Sequence, residues 1–175
     1  MNSIRPAVPE DAPAIARVHV DTWRSTYPGI VPDAYLAGLS YAASGARWRQ
    51  HLEQPGGELT FVALDPAGVV IGFASCGSLR EPVPGFDGEL YGLYLLAAWH
   101  GCGIGRGLFT HAAHNLIQRG FRSMLLWVLR DNPTRAFYEH LGGEPVGEKT
   151  IEIGGTSLID VAYGWPELGI IKGQD

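Results

Sequence analysis

The chain predicts a single α/β domain built on a mixed sheet, and three observations carry that expectation. Strand-like and helical apolar patterns follow one another in the order β-α-α-β-β-β-α-β-α-β-β. The run Met124-Leu125-Leu126-Trp127-Val128-Leu129 is continuously apolar, as a strand covered on both faces should be. A third apolar strand pattern ends near Leu96 and gives way to a helical pattern across Gly101, Gly103, Gly105 and Gly107. A length of 175 residues suits one domain, spanning 1–175, with a sizeable core.

Each element has a local reason. Residues 3–8 read as a short strand. Pro9-Glu10-Asp11 opens a helix, because carboxylates suit a first turn and Pro13 is tolerated close to it. Ile15, Val18, His19, Thr22 and Trp23 recur at helical spacing until Tyr27-Pro28-Gly29 breaks the pattern. A second helical region covers 32–52, anchored by Leu36, Leu39, Trp48 and Leu52 and interrupted near Ser44-Gly45. After the turn Gln54-Pro55-Gly56-Gly57, strands at 59–64 and 69–75 form a hairpin about Asp65-Pro66-Ala67-Gly68.

Two prolines and two glycines make 81–88 a loop, and 89–96 is the strand that enters the glycine run. The helix over 105–118 presents Ile104, Leu108, Ala112 and Leu116 along one face. After the apolar strand, Asn132 is placed to cap a helix, with Pro133 at its first position and Gly142 just past its end. Strands at 146–153 and 157–165 close the chain around Gly154-Gly155.

The glycine run is the chemically informative part. Glycine lets backbone N–H groups converge where a Cβ would obstruct a ligand. The helix that follows adds unsatisfied donors and the positive end of its dipole, so the junction is an anion cradle. A P-loop would need Lys and then Ser or Thr after its last glycine, but Gly105 is followed by Arg106 and Gly107. A dinucleotide fingerprint counted from Gly103 would put its third glycine on Leu108. A turn without a ligand would spend backbone entropy on four glycines within seven residues for no return.

The stretch His100-Gly101-Cys102-Gly103-Ile104-Gly105 resembles motif A of the GNAT superfamily of N-acetyltransferases, Q/R-x-x-G-x-G/A. Ile4-Arg5-Pro6-Ala7 with Pro9-Glu10-Asp11, Leu93-Tyr94-Leu95, and the segment from Asn132 through Phe137-Tyr138 to Gly142 are similar to further family segments in the same order. The resemblance implies a mixed, mostly antiparallel sheet of six to seven strands flanked by about four helices.

It also implies acetyl-CoA as co-substrate between the strands at 89–96 and 124–129. The diphosphate would rest on the amides of Gly101, Cys102, Gly103, Ile104, Gly105 and Arg106, beside His100. His100 stands where Gln or Arg is usual and Cys102 where a cation is frequent, and Arg106 restores a positive charge. The main chain of Leu93, Tyr94 and Leu95 would meet the pantetheine arm, as would Asn132. Tyr138 is the candidate general acid for the departing thiolate, and Glu89 the candidate base for the amine.

Each residue has a plainer reading: a packed tyrosine, a solvated strand-end glutamate, a surface histidine. Trp23, Tyr27 and Asp21 are candidates for the acceptor pocket, with Asp21 able to meet an amine; core packing competes for Trp23. The acceptor expected is a primary amine of a small molecule. A peptide or protein amine, or a non-catalytic acyl-CoA-binding module, is the alternative.

A net charge of −5 without a Lys/Arg run argues against nucleic acid, and no apolar stretch suits a membrane span. Two cysteines, Cys76 and Cys102, do not form a disulfide framework, so a reduced cytoplasmic setting is expected. His111 and His114 share a helix face without further ligands, so no metal is expected. Tyr163, Trp165, Ile170 and Ile171 would either finish the core or line a homodimer contact.

Overall fold

A computed structural model describes residues 2–170. Seven strands form one sheet in the order β1-β2-β3-β4-β5-β7-β6. They are β1 (Ser3–Pro6), β2 (Leu59–Leu64), β3 (Val70–Ser78), β4 (Gly88–Leu95), β5 (Met124–Leu129), β6 (Glu144–Ile153) and β7 (Thr156–Trp165). Every neighbouring pair is antiparallel except β4 and β5. Five α-helices cover the sheet: α1 (Ala12–Thr26), α2 (Asp33–Gly38), α3 (Tyr41–Glu53), α4 (Ile104–Gln118) and α5 (Arg135–His140).

The helices pack where their apolar stripes dictate. α4 turns Leu108, Phe109, Ala112 and Leu116 into the main core, against Phe61, Leu90, Met124 and Leu126 of the sheet. α1 sets Ile15 and Val18 on the opposite face, against Val62, Val70 and Phe73, with Trp48 of α3 packed alongside. A third cluster joins Tyr27, Val31 and Leu36 to Leu129 of β5.

Some boundaries move, each for a local reason. The first helical segment begins as a 3-10 turn at Pro9–Asp11, where Asp11 accepts from Arg5 and from the Val8 N–H instead of starting an α-helix. The break in the second helical region falls at Leu39-Ser40, not at Ser44-Gly45. Ser40 caps α3 by accepting from the Ala43 N–H at 3.2 Å. Gly45 stays helical inside α3 and faces Ala16 and Pro13 of α1. Tyr163 and Trp165 are fully or almost fully buried and finish the core, so they line no dimer contact; Ile171 lies outside the described residues.

The feature that positions the site is the split between β4 and β5. They are laddered at Gly88↔Met124 and Glu89↔Leu125 and at no later pair. On its other edge β4 stays paired to β3, through a bulge: Gly92 opposes Ser75 and Leu90 opposes Cys76, leaving Tyr91 as the extra residue. A bulge bends its strand and increases the local twist. Beyond Glu89 the β4 edge that faces β5 therefore has no ladder partner among the described residues.

Candidate active site in the split sheet

The split opens into a cleft of about 640 Å³, walled by β4 at Gly92, Leu93, Tyr94 and Leu95 and by β5 at Trp127, Val128 and Leu129. At its mouth lies the glycine turn. Gly103 caps α4 in the left-handed region (φ +78°), and Gly101 adopts φ +76°. Among the described residues, the N–H groups of Gly101, Cys102, Gly103, Ile104, Gly105 and Arg106 meet no acceptor; the first satisfied amide is Gly107, bonded to the Gly103 carbonyl.

Six consecutive free donors at a helix N-terminus form an anion site without any side chain, worth ~0.3–1 kcal/mol per anionic charge from the dipole alone. Gly105 and Gly107 are small for a different reason. A Cβ on Gly105 would lie 3.3 Å from Phe137, and one on Gly107 would lie 3.0 Å from Ile4. These two glycines bring α4 close to α5 and β1; they do not bare the cradle.

His100 is exposed, but its Nε2 lies 2.9 Å from the Leu95 carbonyl oxygen and ties the turn to the end of β4. Cys102 is exposed and its thiol donates toward the His100 carbonyl at 3.6 Å. Leu93 and Leu95 pack toward the main core while Tyr94 packs on Phe73, so their availability to a ligand is through the unpaired backbone edge.

Tyr138 reaches the cleft from α5, a short helix held at its base by Trp165 donating to the Leu141 carbonyl. It is buried edge-on to Phe137, and its hydroxyl has no hydrogen bond within the described protein. Burial pushes its pKa well above the ordinary tyrosine value, so the phenol holds its proton. Asn132 is buried with both ends engaged: Oδ1 accepts from the Thr134 N–H and hydroxyl, and Nδ2 donates to Tyr27 Oη at 3.1 Å. It shapes the turn ahead of α5, whose first residue is Arg135, rather than capping a helix that starts at Pro133.

Two expectations are corrected. Glu89 is neither solvated nor free to act as a base. It is 2% exposed and does not line the cleft, because Arg80 folds over it. Oε2 accepts the Arg80 backbone N–H and Oε1 accepts from its guanidinium, each at 2.9 Å, with a further close contact from Nη2. Asp21 does not face the cleft either: its carboxylate accepts from the Tyr41 hydroxyl at 2.6 Å on the outer side of α1. Trp23 and Tyr27 do line the cleft, with ring centroids 4.7 Å apart, and they also pack into the third cluster.

The carboxylate that does line the cleft is Asp160 of β7. Its sequence signal is an acid inside the apolar run Leu158-Ile159-Asp160-Val161-Ala162. Arg80, Tyr91 and Trp127 also reach the lining without having been singled out by motif. Among the described residues, no three His, Cys, Asp or Glu side chains cluster as metal ligands, and no helix is long and apolar enough to cross a membrane.

A split sheet edge beside a turn of free amides can receive an extended, anionic ligand. Residues 18–143 match the acetyltransferase (GNAT) family, and the chain belongs to it: it is an acetyl-CoA-dependent N-acetyltransferase. It is 42% identical over 172 residues to the uncharacterized N-acetyltransferase YuaI of Bacillus subtilis (strain 168), covering 98% of this chain and 97% of that one. An N-acetyltransferase from Staphylococcus aureus Mu50 shares the fold, with a TM-score of 0.73 and 23% identity over 96% of this chain and 99% of that one. A phosphinothricin acetyltransferase from Sinorhizobium meliloti, solved in complex with AcCoA, aligns with a TM-score of 0.70 and 25% identity over 95% of this chain and 88% of that one.

Proposed function

We propose that the protein acetylates a primary amine of a small molecule: an amino acid, a polyamine or an amine-bearing antibiotic. The observation that carries this reading is the size of the cleft. A volume of about 640 Å³ must hold the pantetheine arm and the acceptor together, which leaves room for a compact acceptor. Beside Trp127 of its wall, Lys149 of β6 donates to Glu81 at 2.9 Å and lies 4.3 Å from the centre of the ring.

Bound acetyl-CoA supplies an activated thioester carbonyl and a thiolate leaving group. The amides from Gly101 to Arg106 hold the diphosphate, and the unpaired edge of β4 aligns the arm by main-chain hydrogen bonds, as an added strand would be aligned. A β4 N–H on that edge polarises the carbonyl. Tyr138 protonates the departing sulfur: burial keeps the phenol protonated, so the donor form is present when the thiolate leaves. The strongly acidic N–H of the newly acylated nitrogen returns the proton to the phenolate. Acetyl transfer is direct, from donor to amine, without a covalent enzyme intermediate.

Thiol release from acetyl-CoA, measured against a panel of amino acids, polyamines, aminoglycosides and N-terminal peptides, tests the proposal. Acceptor-dependent release with a small amine supports it. Release with peptides alone assigns a protein acceptor, and calorimetric binding of acetyl-CoA without release by any acceptor reduces the chain to a binding module.

A further inference from the structure

Asp160 is unusual among the carboxylates of this chain. It sits inside β7 with Leu129 of β5 opposite it on one side and Lys149 of β6 opposite on the other. The lysine directly across the ladder would be the natural counter-ion, but its ammonium is committed to Glu81. Among the described residues the Asp160 carboxylate makes no hydrogen bond and no ion pair, although it is half-buried in the cleft wall. The neighbouring cleft walls are aromatic: Trp23 from α1, Tyr27 just past its end, Tyr94 from β4 and Trp127 from β5. A desolvated carboxylate without a partner is costly, and π-faces around it attract cations.

We propose that Asp160 is the group that receives the acceptor amine, binding it as an ammonium between the aromatic walls and then taking its proton. The inference rests on the acetyltransferase reading above and narrows the acceptor to an amine that is charged in solution. It also fills the role that Glu89, sealed under Arg80, cannot perform.

The proton count closes. The ammonium gives one proton to the Asp160 carboxylate, which later passes it to solvent. The neutral nitrogen forms the C–N bond as the C–S bond breaks. The sulfur leaves with the Tyr138 proton, and the second proton lost from nitrogen restores the phenol. The products are an amide, a thiol and one released proton.

Charge around Asp160 is mixed in a way that suits a proton acceptor. Lys149 from β6 and Arg80 from the end of β3 face it with positive charge, and Tyr27 and Tyr94 present phenols. Burial outweighs the two cations and holds the carboxyl above the usual aspartate range.

The test compares wild type with Asp160→Asn on two acceptors: the best cationic amine from the panel, and a nucleophile already neutral at pH 7, such as a hydrazide. Asparagine keeps the shape, and among the described residues there is no partner of the carboxylate for the substitution to strand. The expected result is a loss of about 100-fold or more in kcat/KM for the cationic amine and less than about fivefold for the hydrazide, with calorimetric binding of CoA unchanged. Asp160→Glu should recover part of the cationic activity. Two results would overturn the assignment with CoA binding intact: cationic activity kept within about threefold, or equal losses on both acceptors. Inactivity of the wild type toward every small amine would instead overturn the function proposed above, so the two failures are separable.

Discussion

Both carboxylate oxygens of Glu89 are taken by a single residue, Arg80, whose backbone N–H and guanidinium close over it from the end of β3. The pair anchors the β3–β4 connection at the point where the sheet begins to split. Glu89→Gln should lower stability by about 2 kcal/mol, since charge-assisted hydrogen bonds to a buried carboxylate are lost. It should leave the shape of the pH–rate profile unchanged. Thermal unfolding together with kcat/KM between pH 5 and pH 9 checks both halves; a lost acidic limb would restore Glu89 as the base.

Tyr138→Phe removes a hydroxyl that has no partner among the described residues, so folding and donor binding should be nearly unaffected. Turnover should fall by about 100-fold or more if proton donation to sulfur limits the rate. Burial raises the phenol pKa, so the active, protonated form persists as pH rises, and kcat should show no descending limb from this group up to about pH 10. Steady-state rates with calorimetric acetyl-CoA binding separate the two effects.

Gly103→Ala places a side chain at φ +78°, at a strain of about 1–3 kcal/mol. Relaxing that strain turns the cradle amides away from a common focus. The dissociation constant for CoA should rise about tenfold or more, with kcat at saturating donor much less changed. Gly105→Ala should act differently. Its methyl group presses on Phe137, displaces α5 and with it Tyr138, and so should lower kcat first.

His19 packs edge-on against Tyr94 with ring centroids 5.0 Å apart, and burial pulls its pKa down to about 4, with Arg47 adding to the effect. The unfolded chain titrates near pH 6.5. Between these values the unfolded state binds the extra proton, so stability should fall as pH drops from about 6.5 to about 4. His19→Phe keeps an aromatic ring against Trp23, Phe73 and Tyr94 and should flatten that part of the dependence. Melting temperatures across pH 4–7 test this.

Strand and helix identities and the glycine turn were legible in the chain because each depends on near neighbours. Period, turn chemistry and a helix start are encoded within a few residues of one another. The fate of the acids was not legible. Glu89, Asp21 and Asp160 look alike as letters, and their roles separate through partners contributed from elsewhere: Arg80 folding back, Tyr41 of α3, and Lys149 diverted to Glu81.

The two kinds of glycine divide the same way. Gly101 and Gly103 serve the conformation of their own turn, whereas Gly105 and Gly107 serve Phe137 and Ile4, which are remote in sequence. Local pattern was thus enough to give the fold and the glycine turn, while the role expected of Tyr138 rests on the resemblance to the family. Which carboxylate stands free in the cleft depended on strand register and on the split between β4 and β5, because side-chain electrostatics follow distance in space and not separation along the chain.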